Sequence, residues 1–198
     1  MHNLWIIHVV RNPWTSYAVA TERALRNCRP TADELLAKAL RCSFIEADDF
    51  HSPANKAKMS KGIPLTDADR TPWLEALRDA IQEKLLHGEN VTISCSALQT
   101  KYREILRSSD ISYKPGSFSK CQVKFVCLEA PAELLAARMK KRSEEGKHFM
   151  PASLLRSQLD LLQIDEAEGI SKIDASMRSE KIVDDVLVLF KGTWRCAL

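Results

Sequence analysis

The sequence predicts an α/β fold, a mainly parallel sheet with helices on both faces. Short apolar, β-leaning runs at 43–47, 91–95 and 122–128 alternate with helical patterns, the arrangement that builds parallel sheets covered on both sides. The run Ser43-Phe44-Ile45 breaks directly into Glu46-Ala47-Asp48-Asp49. Acids just beyond a strand's C-terminal end face the crevice where open α/β sheets bind ligands.

Taken in order, Leu4 to Val10 is an apolar run that reads as a buried strand, broken by Arg11 to Ser16 with its Pro13, and Ala18 to Cys28 reads as helical. Residues 32–41 form a short helix with Leu35, Leu36, Ala39 and Leu40 on one side. A strand at 43–47 and a helix at 54–60 follow. Thr71-Pro72 reads as an N-cap with proline at the first helical position. That opens the clearest helix, Thr71 to His87, striped by Leu74, Leu77, Ile81 and Leu85 and stopped at Gly88. Residues 91–95 are a strand, 99–107 a helix, 108–120 a loop and 122–128 a strand. A helix at 132–142 turns strongly basic. Pro151 opens a helix with Leu154, Leu155, Leu159 and Leu162, and 170–173 and 178–190 are the last strand and helix.

At 198 residues the chain is one domain with a sizeable core. Its 45% hydrophobic and 28% charged residues are those of an ordinary globular protein. A net charge of +3, dispersed among acids, argues against a nucleic-acid partner. No apolar run is long enough to span a bilayer. Six cysteines without CxxC or zinc spacing point to a reducing, cytoplasmic setting and to no protein-held metal. Residues 1–32 are mildly basic, with no acid before Glu22, but too apolar at 4–10 and too poor in serine for a transit peptide. They read as an atypical N-terminal segment, and 33–198 as the main domain.

The densest polar chemistry lies in Phe44 to Trp73, with its acids, His51, Lys58, Lys61, a Gly62-Ile63-Pro64 turn and Arg70. The segments EADDFH (46–51), NKAKMSKGIPL (55–65), DADRTPWL (67–74), CSAL (95–98), YREIL (102–106) and KHFMP (147–151) together closely resemble the gluconokinase family. The resemblance runs from about Glu34 to about Leu189. It implies a P-loop NTPase, nucleotide-kinase-like three-layer fold and ATP-dependent phosphorylation of D-gluconate to 6-phosphogluconate, with ATP and Mg²⁺ as cofactors. A homodimer is left open.

What the resemblance implies for individual residues follows from the chemistry of phosphoryl transfer to a hydroxyl. Asp48, at the strand end, accepts the proton of the gluconate 6-hydroxyl; alone it would read as a turn or cap aspartate. His51 hydrogen-bonds the polyol or caps the next helix. Arg70 takes the carboxylate, because a guanidinium matches it bidentately; the plainer reading is an ion pair with Asp67 or Asp69. Lys61 and Lys58 hold substrate or are solvated helix charges. Ser96 points into the same crevice, and Arg103, or else Lys101, reaches substrate from the next helix. Arg138 and Arg142, one helical turn apart, resemble lid arginines that close over the phosphates, in a lid at about 138–150.

One part of the family pattern is missing. A P-loop kinase carries G-x-x-x-x-G-K-[ST] between its first strand and first helix, yet the first glycine here is Gly62. The loop should fall at about 23–33, where Arg29 and Thr31 stand nearest the expected Lys and hydroxyl, Cys28 replaces a glycine and Pro30 lacks a donor. The first strand of the sheet is therefore expected to be incomplete unless residues 4–10 or 16–20 fill its slot. Three explanations stay open: an alternative exon or faulty gene model, a family member without catalysis, or another way of binding phosphate. The alternatives in function are a catalytically dead gluconate-binding or regulatory variant and a kinase for another small hydroxy acid such as shikimate.

Overall fold

The computed structural model describes residues 2–12, 16–19, 32–144 and 152–190, with the first two strands described by their backbone alone. The elements are β1 (His2–Asn12), β2 (Ser16–Val19), α1 (Ala32–Leu40), β3 (Ser43–Glu46), α2 (Pro53–Ser60), α3 (Asp67–Leu86), β4 (Val91–Cys95), α4 (Thr100–Arg107), β5 (Val123–Ala130), α5 (Ala132–Glu144), α6 (Leu155–Leu161), β6 (Ser171–Asp174) and α7 (Ser179–Phe190). The six strands form one sheet in the order β3-β4-β2-β1-β5-β6. The α/β fold is as the sequence predicts.

β5 shows why both faces are covered. Its side chains alternate: Val126, Leu128 and Ala130 enter a core with Leu36 of α1, Leu135 of α5 and Ile182 and Val186 of α7. Val123, Phe125 and Cys127 enter the opposite core with Leu74, Leu77 and Ile81 of α3 and Tyr102 and Leu106 of α4. The three α3 positions are fully buried, so the predicted stripe faces the sheet. Among the described residues no helix is long and apolar enough to cross a membrane, and Cys42, Cys95, Cys121 and Cys127 are free thiols.

The slot expected to be incomplete is filled. β1 lies between β4 and β5 and runs antiparallel to both, from His2↔Ala130 to Val10↔Val123 on one side and from Ile6↔Cys95 to His8↔Ile93 on the other. β2 returns antiparallel to β1 and parallel to β4, meeting it at Val19↔Thr92. The remaining pairs, β3 with β4 and β5 with β6, are parallel. Backbone donors and acceptors of β4 and β5 that face the slot thus gain partners, and the sheet is mixed rather than all parallel. Ala18 and Val19 belong to β2 rather than to a helix; the rest of the helix expected at 18–28 lies outside the described residues.

The start of α3 also differs. Its N-cap is Thr66, whose hydroxyl accepts from Asp69 N–H at 3.3 Å while Asp69 Oδ2 accepts from Thr66 N–H at 3.0 Å. This reciprocal capping box satisfies two end donors at once, and Pro72 stands inside the helix rather than at its first turn. The helix therefore begins at Asp67, four residues before the predicted Thr71.

Candidate functional site

The C-terminal ends of β3 and β4 place the site. β3 ends at Glu46 and runs into a 3-10 turn, Ala47–Phe50, with His51 behind it. This turn is pinned from α3: buried Trp73 donates its Nε1–H to the Ala47 carbonyl at 2.7 Å. The imidazole of His51 lies on the Trp73 indole, centroids 4.2 Å apart and planes 16° from parallel. His51 is 7% exposed, and its Nδ1 has no hydrogen-bond partner among the described residues. Burial pushes its pKa down to about 4; Asp48 opposes that shift and Arg70 adds to it. The ring is therefore neutral near pH 7, able to donate from one nitrogen and accept at the other.

Arg70 sits one helical turn before Trp73. It is 4% exposed, and among the described residues the one hydrogen bond of its guanidinium runs from Nε to the Leu65 carbonyl at 3.3 Å. Its Cζ lies 5.7 Å from the centre of the Tyr102 ring. Burial lowers its pKa, while Tyr102, Cys95, Asp67 and Asp69 pull the other way. Neither of the flanking acids pairs with it. Asp67 accepts from Tyr102 Oη at 2.6 Å and from Lys101 Nζ at 2.5 Å. Asp69 accepts from Lys58 Nζ at 2.6 Å and from Thr66; the Lys58 bond, with Thr66 behind it, holds its pKa down to about 2. The ion pair that would have been the plain reading of Arg70 is absent among the described residues. A buried guanidinium without a counter-ion is a costly arrangement that an arriving carboxylate relieves.

Asp48, half-buried in the 3-10 turn, shares this corner: its charge acts on His51 and, with those of Arg70 and Glu46, on buried Cys95 at the end of β4. Ser96 follows Cys95 and is half-buried. Lys61 is exposed at the C-terminal end of α2. Lys58 is committed to Asp69.

Arg103 departs from expectation. It is fully buried, and its donors are spent on protein acceptors: Glu168 (2.8 and 2.5 Å), Ala97 O (2.8 Å), Gln163 O (2.7 Å) and Thr100 Oγ1 (3.2 Å). Arg107 adds a second guanidinium to Glu168 at 2.7 Å. Burial favours the neutral acid at Glu168, but the hydrogen bonds from Arg103 and Arg107 overcome it and hold the pKa down. This arginine–carboxylate cluster ties α4 to the segment before β6. The α4 residues that face Arg70 and Asp67 are its neighbours Tyr102 and Lys101. The resemblance puts Lys101 second to Arg103 and gives Tyr102 no role, although an aromatic beside a basic residue in YREIL is a visible signal.

Half-buried Arg138 of α5 donates from Nη1 to the Ala175 carbonyl at 2.8 Å, just past the end of β6, the edge of the sheet away from β3. Arg142 is in the last turn of α5, and its side chain lies outside the described residues, as do Lys147 to Pro151, Arg29 and Thr31. The described residues do not supply a phosphate cradle: no glycine precedes α1, and no three His, Cys, Asp or Glu side chains among them are grouped to hold a metal. The described polar chemistry at this corner is that of Asp48, His51, Arg70 and Ser96.

No protein-family model matches the chain. It is 52% identical over 159 residues to a gluconokinase of Arabidopsis thaliana, covering 80% of this chain and 84% of that one. A crystal structure of a gluconokinase from Sinorhizobium meliloti 1021 superposes with a TM-score of 0.64 at 40% identity, covering 82% of this chain and 84% of that one. The unliganded structure of a sugar kinase from Janibacter sp. HTCC2649 gives 0.68 at 38% identity, covering 81% and 86%. With this identity over most of both chains and the same kinase fold, the chain belongs to the gluconokinase family.

Proposed function

We propose that this chain phosphorylates the 6-hydroxyl of D-gluconate, with the crevice beyond β3 and β4 as the acceptor site. The observation that supports it most is Arg70, a buried guanidinium without a carboxylate partner among the described residues, its two neighbouring acids being turned to other partners. A sugar acid brings a carboxylate, and its hydroxyls suit the neutral imidazole of His51, whose buried Nδ1 has no hydrogen-bond partner among the described residues. Asp48 takes the proton of the reacting hydroxyl, which a carboxylate at the strand end can do without a change of fold. Ser96 and Lys61 complete the polyol contacts. Arg138, with Arg142, stands at the rim as the cation of a lid at about 138–150, in a kinase domain of residues 33–198. ATP with Mg²⁺ supplies the phosphoryl group when bound.

The test is gluconate-dependent ADP release by the purified chain with ATP and Mg²⁺, beside a version carrying a G-x-x-x-x-G-K-[ST] loop in place of residues 23–33. Release by the native chain establishes the activity and a non-standard phosphate site. Release by the loop-bearing version alone establishes the acceptor site and puts the loss in the donor half. Release by neither overturns the assignment.

A further inference from the structure

We propose that Asp67, Lys101 and Tyr102 act together as positioning residues that keep Arg70 unpaired, and so make the crevice select a sugar acid over the uncharged polyol of the same length. The inference rests on Arg70 being the carboxylate receptor. It concerns what surrounds Arg70 rather than Arg70 itself.

Two acids and three cations meet at the start of α3: Asp67 and Asp69 against Lys58, Arg70 and Lys101. On a helix, residues three apart are neighbours, so Asp67 is placed to pair with Arg70 and is near enough to influence its protonation. It does not pair with it. Oδ1 of Asp67 is taken by the Tyr102 hydroxyl at 2.6 Å and Oδ2 by Lys101 at 2.5 Å. Asp69 is held in the capping box and by Lys58. All four carboxylate oxygens thus have donors, and none of those donors is Arg70. Tyr102 is used twice: its hydroxyl holds the acid away, and its ring, 5.7 Å from the Arg70 Cζ, packs against the guanidinium.

The division of charge follows burial. Lys101 and Asp67 are exposed, with 55% and 60% of their side-chain surface open, so their pairing costs little desolvation. Arg70 is buried, so an incoming carboxylate meets a guanidinium already stripped of water and not engaged with an internal rival. Were Asp67 released, it would compete for Arg70 at high effective concentration. A neutral polyol offers Arg70 a hydroxyl oxygen but no carboxylate, and so gains far less from a guanidinium without a carboxylate partner among the described residues.

Isothermal titration calorimetry of the full chain with D-gluconate and D-sorbitol tests this without requiring turnover. The double variant Tyr102→Phe/Lys101→Met keeps the ring and frees both Asp67 oxygens. Its gluconate affinity is expected to fall about fivefold, the effect of a partly exposed competing ion pair, with sorbitol binding unchanged; adding Asp67→Asn restores it. Unchanged gluconate affinity in the double variant overturns the proposal, and so does a loss that Asp67→Asn fails to rescue. Arg70→Gln separates the two levels. If it binds gluconate as tightly as the native chain, Arg70 is not the receptor and both readings fall. If it loses the preference for gluconate while the double variant keeps it, only the positioning role falls.

Discussion

His51 lies flat on Trp73, with ring centroids 4.2 Å apart, and Trp73 in turn holds the Ala47 carbonyl at 2.7 Å. One aromatic side chain of α3 thereby fixes both the acid-bearing turn after β3 and the imidazole behind it. Burial also sets the charge of His51. With a folded pKa of about 4 against an ordinary value of 6.5, the unfolded chain binds the proton more readily between those values. Stability is then expected to be full above about pH 6.5 and to fall as pH drops toward 4, by about 2–3 kcal/mol from this group. Urea unfolding across that range checks it: His51→Phe, which keeps the stack, should flatten this part of the profile.

Asp48→Asn should separate binding from chemistry. The amide keeps the shape of the turn but cannot take a proton. In whichever version of the chain turns over gluconate, kcat is expected to fall on the order of a hundredfold or more, with KM nearly unchanged. A substitution that raises KM and spares kcat would make Asp48 a binding residue instead.

Glu168→Gln is expected to be among the most damaging substitutions outside the crevice. It leaves the guanidinium groups of Arg103 and Arg107, 0% and 1% exposed, without their shared carboxylate. Breaking a buried pair from one side costs about 3–5 kcal/mol, measurable as a shift of the urea midpoint at constant m-value. Gluconate binding by the folded fraction should persist, since the donors of Arg103 are engaged with protein acceptors.

β1 fills the central slot in the reverse direction, and this has a consequence for exchange. If its ladders to β4 and β5 persist in solution, amides of residues 5–10 should be protected to nearly the same degree as those of 123–128. Fast exchange across 5–10 alongside slow exchange in β5 would show an open slot.

Much of the site was legible because it is local. Asp48, His51 and Arg70 lie within one polar stretch that begins at a strand end, and the strand–helix alternation put that end at a crevice. What escaped was set by distant partners. Arg103 and Lys101 are two residues apart on α4, and spacing alone could not tell which faces the crevice; Glu168, 65 residues from Arg103, decides it by drawing Arg103 inward. The start of α3 was misplaced because proline at Pro72 looked like a first-turn residue, whereas the Thr66–Asp69 box carries the cap. The antiparallel β1 was not readable, since an apolar run names a strand but not its direction.

The most direct measurement is a hydrogen-exchange footprint of the chain with and without saturating D-gluconate, with D-sorbitol as control. Gluconate is expected to slow exchange at 46–51, 65–74 and 96–103, the segments that carry Asp48, His51, Arg70, Ser96 and Tyr102, and sorbitol is expected to do so far less. Protection confined to other segments, or equal protection by both compounds, would contradict a carboxylate-reading acceptor site beyond β3 and β4.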